Sequence, residues 1–78
     1  MSMSATKTKL ATGKRINRAR RQAGYPTIRS FAEALNVNYS QVVRWESGTT
    51  TPRKPAFEAI AEVCGTSVER LLGQRVAA

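Results

Sequence analysis

The apolar residues of this chain come in short runs spaced three and four apart, and each run stops at a glycine or an asparagine: Gly24, Asn36, Gly48, Gly65 and Gly73. That spacing places side chains on one face of an α-helix. Gly and Asn are the residues that best accept the left-handed backbone that ends a helix. Helices this short are not stable alone, so their apolar faces have to pack on one another. Alternation with period two, the mark of a half-buried strand, is found nowhere in the chain. The fold class expected is all-α, five short helices joined by loops of a few residues.

The first helix is expected to begin near Thr12, a plausible N-cap, and to end before Gly24, with Ile16, Ala19 and Ala23 facing inward. Tyr25-Pro26 breaks the chain. Thr27 then caps a second helix that runs to about Asn36 and buries Ile28, Phe31, Ala32 and Leu35. Asn38 caps a third, from Tyr39 to about Ser47, which Gly48 terminates. Thr51, with Pro52 at the first helical position, is expected to open a fourth, whose inner face is Phe57, Ile60, Ala61 and Cys64. Ser67 caps a short fifth helix carrying Val68, Leu71 and Leu72. Residues 1–9 are Met, Ser, Thr, Ala and Lys without periodicity and read as a flexible basic arm. Residues 10–73 form the domain and 74–78 a C-terminal tail.

Composition removes several classes of function. At 78 residues the chain is a single domain with a modest core. It has no His, no Asp and one Cys. Neither a Ser-His-Asp nor a Cys-His arrangement can be assembled, so an enzyme is not expected. A lone Cys64 supports neither an internal disulfide nor a zinc site and reads as a small buried apolar residue. No cofactor and no small-molecule ligand is suggested. No apolar run approaches the ~20 residues of a membrane span, and the N-terminus lacks the apolar segment of a secretory signal. The expected location is the cytoplasm.

Charge points toward a partner. The net charge is +8, and its distribution is uneven. Residues 1–29 hold eight cations and no acid, whereas residues 30–78 hold five of each. Such asymmetry suits an anionic partner, nucleic acid above all, or else a solvated basic tail.

The third predicted helix has an unusual outer face. Val42 and Trp45 point one way, while Tyr39, Ser40, Val43, Arg44 and Ser47 point roughly the other. An aromatic, a β-branched apolar residue, two hydroxyls and an Arg without any acid do not make an ordinary solvent face. A short turn at Asn36-Val37 joins this helix to the second, which is the helix-turn-helix plan. Ala32 is small enough for the two helices to approach, and Phe31, Leu35, Val37, Val42 and Trp45 lock them. A helix of residues 39–47 fits a major groove about 12 Å wide. Arg20 falls beside the apolar stripe of the first helix and needs a partner there.

On these residues the chain resembles the Cro/CI-type, lambda-repressor-like helix-turn-helix DNA-binding domains. The resemblance runs from Gly13 to Leu72. It rests on Gly13-x-x-Ile16, Arg20 followed by Gly24, Phe31-Ala32, the run Val42-Val43-Arg44-Trp45-Glu46-Ser47-Gly48, then Pro52, Ile60-Ala61 and Leu71-Leu72. It implies that Arg20 pairs with Glu46 as a structural ion pair, and that Arg53 and Lys54 approach a DNA phosphate. The chain also departs from the family pattern. Ile28 stands where many members carry a phosphate-binding Gln, the linker containing Tyr25-Pro26 is about one residue longer than usual, and Asn36 replaces a common turn Gly. Phosphate anchoring at the second helix then falls to Thr27, Arg29 and backbone N–H groups.

Base reading is expected from Tyr39, Ser40, Gln41, Val43 and Arg44. An Arg can take guanine O6 and N7 together, a Gln can pair with adenine, and Val43 can pack on a thymine methyl. Phosphate contacts are expected from Thr27, Arg29, Asn38, Ser47, Thr49, Thr51, Arg53 and Lys54, and less directly from Lys14 and Arg15. Arg18 and Arg21 are open between phosphate contact and solvated charge. The function implied is sequence-specific binding of double-stranded DNA in transcriptional regulation, most simply by a small Cro-like repressor. Alternatives are an antitoxin-type autoregulator, an accessory subunit of a larger complex, or a protein-interaction adaptor reusing the fold. RNA binding lacks the sheet and the stacking aromatics of single-strand readers. A weak homodimer on a pseudo-palindromic operator is expected, with Val68, Leu71, Leu72 and Val76 as its candidate apolar patch.

Overall fold

Among the described residues the apolar runs become five helices: α1 (Ser2–Gln22), α2 (Ile28–Leu35), α3 (Tyr39–Ser47), α4 (Lys54–Cys64) and α5 (Val68–Leu71). The structure, a computed structural model, describes residues 2–73, with side chains from Lys9 onward. The 74–78 tail, and Val76 with it, lies outside the described residues.

Each helix supplies most of the apolar face that its spacing predicts; the exception is Ala23, which lies past the end of α1 and does not pack on the core. Ile16 of α1, Phe31 and Ala32 of α2, Val42 and Trp45 of α3, Phe57, Ile60 and Ala61 of α4 and Leu71 of α5 form one buried core. Ile16, Phe31, Val42 and Ile60 are wholly buried. Side chains of this kind contribute about 1.5–3 kcal/mol each when removed from water. Tyr25, in the α1–α2 connection, extends the core outward with its ring 5.5 Å from that of Phe31. α1 packs across α3 and also touches α4 and α5, while α2 rests on α3 and α4.

Helix ends follow the expected turn residues with three corrections. Asn36 closes α2 at φ 58°, and its N–H bonds back to Ala32 and Glu33. Gly48 closes α3 at φ 83°. Thr27 and Ser67 accept from the N–H of Ser30 and Arg70, as N-caps should. The first correction concerns α1, which begins at Ser2 rather than at Thr12. No Gly or Pro interrupts the stretch before Thr12, so nothing stops the helix from continuing back through the segment read as an arm. Thr12 sits mid-helix and buried. The second concerns α4, whose N-cap is Arg53 and whose first turn holds Pro55. Pro52 is buried instead in the preceding extended segment, so Thr51 does not cap. The third is Asn38, which has N-cap backbone geometry but makes no side-chain cap bond.

Candidate nucleic-acid interface

The outward face of α3 is set by what its inward face buries. With Val42 and Trp45 in the core, Tyr39, Ser40 and Arg44 stand in solvent, and Tyr39 is 52 % exposed, unusual for so large a ring. Val43 is half-buried and is not among the residues packed on the core cluster. Gln41 lies on the flank, where a groove of about 360 Å³ separates α3 from the start of α4. Gln41, Arg44, Thr50, Thr51 and Arg53 rim this groove above a floor of Val37, Trp45 and Ala56. The helix thus offers an aromatic, two polar residues, a half-buried Val and a guanidinium, with the positive groove beside them.

A buried ionic cluster holds this face in place. Arg20 Nε donates to Glu46 Oε2 at 2.9 Å, and both side chains are almost entirely inaccessible. Arg20 also donates to the Tyr25 carbonyl at 2.8 Å, and Asn17 Nδ2 donates to Glu46 Oε1 at 2.7 Å. One carboxylate therefore ties the end of α3 to two successive turns of α1, and through Arg20 to the α1–α2 connection. Every partner is satisfied, which is the condition under which a buried pair persists. The pair lies beneath the outer face of α3 and is almost inaccessible.

Gly13 brings α1 close enough for this. A Cβ at Gly13 would lie 2.6 Å from the carbonyl oxygens of both Trp45 and Glu46. Only a residue without a side chain lets the α1 backbone rest on the last turn of α3. On the next turn back, Leu10 covers Gly48, where a Cβ would lie 2.7 Å from Leu10 Cδ2. In the sequence Gly13 is marked only by the Gly13-x-x-Ile16 resemblance, because its expected place in the first turn gives no local sign that another backbone comes this close. Asn17, one turn before Arg20 on the same face, carries no such signal and was not foreseen.

The residues expected at phosphates fall into two groups. Arg29, Arg53 and Lys54 are exposed, and among the described residues the Arg20–Glu46 pair is the only salt bridge. Arg29 lies over the Tyr39 ring, 5.8 Å from its centre, linking the starts of α2 and α3. The hydroxyls are more constrained. Thr27 donates to Ser30 Oγ while accepting from its N–H. Ser47 donates to the Arg44 carbonyl at 3.1 Å, so in the 2.9 Å Ser47–Thr49 contact the donor is Thr49. The N–H groups of Thr49 and Thr50 also go to the Arg44 carbonyl, at 2.9 and 3.3 Å. A phosphate taking a proton from Thr27, Ser47 or Thr49 would have to break one of these internal bonds. Asn38 and Thr51 are exposed. Arg15 points away from α3, with its guanidinium against Gly73 at the end of α5.

A family model described as a helix-turn-helix domain matches residues 11–72. No curated protein and no solved structure matches the chain. Among the described residues, no helix is long and apolar enough to cross a membrane.

Proposed function

The chain belongs to the helix-turn-helix domain family, and from that premise we propose that it is a sequence-specific transcriptional regulator of the Cro-like repressor kind, acting on double-stranded DNA in a bacterial cytoplasm or nucleoid. The single observation that carries this reading is the outer face of α3, which exposes Tyr39, Ser40 and Arg44 without any acid beside them. In this reading α3 lies in the major groove. Arg44 binds a guanine edge in a bidentate way, Tyr39 and Ser40 reach base edges from the helix N-terminus, Val43 meets a thymine methyl, and Gln41 approaches from the flank. Arg29 on one side, with Arg53 and Lys54 on the other, hold the two backbones.

The homodimer belongs to the same proposal, but the three described residues of its candidate patch also serve the core. Leu71 is buried, and Val68 and Leu72 pack against the core. Pairing on a pseudo-palindromic operator would therefore be driven mainly by DNA. Selection of bound sequences from random duplex DNA tests the whole reading. The expected outcome is a defined half-site that occurs twice at about one helical turn. Arg44→Ala should relax one base position by about 1–3 kcal/mol of discrimination. Recovery of unselected sequence by the wild-type chain would refute it.

A further inference from the structure

α1 carries seven Lys and Arg along 21 residues and no acid, and the reading surface uses none of them. Arg20 is engaged by Glu46, and the Arg15 guanidinium lies against Gly73 at a neighbouring hollow. Of the others, Lys14, Arg18 and Arg21 stand four and three residues apart and are exposed. They line a shallow concavity of about 420 Å³ together with Asn17, Gln22 and Glu46. Glu46 is the only α3 residue that lines it, and its carboxylate is already held by Arg20 and Asn17. The exposed acids, Glu33, Glu58, Glu62 and Glu69, stand on α2, α4 and α5. Positive surface continues from Arg18 across a second hollow of about 290 Å³ to Arg70.

We propose that this outer face of α1 is a second nucleic-acid contact, a clamp for the phosphodiester backbone that lies apart from the reading face of α3. The inference rests on the DNA-binding reading above. Lys14 and Arg21 are separated by about 10 Å of helix at ~1.5 Å per residue. One strand of a duplex presents a phosphate charge every ~3.4 Å of its axis, so the three cations span roughly three phosphates. Every residue lining the larger concavity is polar or charged. The lining side chains carry cationic and hydrogen-bonding groups and no aromatic ring, which suits a phosphate. The cations have no ion-pair partner among the described residues, so binding phosphate sacrifices no existing salt bridge.

The test uses the full chain and the triple variant K14Q/R18Q/R21Q, whose exposed substitutions leave the core untouched. Wild type and variant are each titrated with salt on two duplexes, the selected site alone and the same site with long flanks. A second assay mixes two differently labelled duplexes and reads bridging. The selected sequence should be the same for both proteins, while the log–log salt slope of the variant falls by up to about 2.7, or ~0.9 per lost contact. A loss seen only with flanks identifies the phosphates as those of the same duplex. Bridging that disappears in the variant identifies a second duplex. The charge-preserving variant R18K/R21K should keep the wild-type slope. The inference is overturned if the triple variant matches wild type in slope and bridging, or if R18K/R21K loses as much as the Gln variant. Wild-type protein that selects no sequence would instead refute the reading of α3.

Discussion

Replacing Gly13 with Ala pits two effects of opposite sign against each other, and the geometry decides between them. In an open helix the change stabilises by about 1 kcal/mol, because Ala is the better helix former. Here the new Cβ would stand 2.6 Å from two carbonyl oxygens, against the 3.4 Å or more of an ordinary contact, so α1 and α3 must separate by roughly 0.8 Å. Neither obstacle is the free end of a side chain. Both are backbone of the last turn of α3, held by the Gly48 cap and by the Arg20–Glu46 bond across the same crossing. Overpacking against a framework that cannot yield costs about 1–3 kcal/mol, and two rigid contacts place this site toward the upper end. The expected net loss is about 2 kcal/mol. For a domain of this size that lowers Tm by roughly 8–16 °C. Thermal and urea melts followed by circular dichroism at 222 nm measure it. A Gly13→Ala protein as stable as wild type, or more so, would refute the close approach as the reason for this glycine.

Removing one side of the buried pair should cost more. Glu46→Ala leaves Arg20 charged and buried, for a loss of about 3–5 kcal/mol, and R20L/E46L should recover part of it in the same melts. The two N-caps should differ. Thr27→Ala loses a formed cap bond at about 1 kcal/mol, whereas Asn38→Ala should lose clearly less, since its side chain makes none. Burial pushes the Cys64 thiol above its ordinary range, so less of it is thiolate at pH 8. Its alkylation at that pH should be slower than that of a thiol in an unfolded peptide, and an equal rate would count against the burial.

Much of the fold was legible because the signals are local. Asn36 and Gly48 end helices for a reason intrinsic to their backbones, and the inward positions of Phe31, Val42, Trp45 and Ile60 follow from helical spacing. What stayed hidden depended on tertiary contact. Thr51-Pro52 and Arg53-Lys54-Pro55 are both credible helix starts, and the choice turns on Pro52 being wanted in the interior. Thr12 has the chemistry of a cap, but a cap acts only where a helix stops, and no breaker stands before it. The surface positions of Tyr39, Ser40 and Arg44 could be read from the register of α3. The internal engagement of Thr27, Ser47 and Thr49 could not, because it depends on where neighbouring donors and acceptors fall in space.

The Arg44 carbonyl gives the loop after α3 its meaning. It gathers the Thr49 and Thr50 N–H groups and the Ser47 hydroxyl, while the Arg44 side chain faces outward. The same residue therefore carries the proposed base-reading group and anchors the backbone that leads to Arg53. On the proposed reading, those bonds restrain how far the start of α4 can shift relative to Arg44. A loop restrained in this way would leave part of any mismatch in groove width or twist to the duplex. Selection would then extend to base pairs that no side chain touches, favouring steps that deform easily, and part of the operator would be written in the elasticity of DNA.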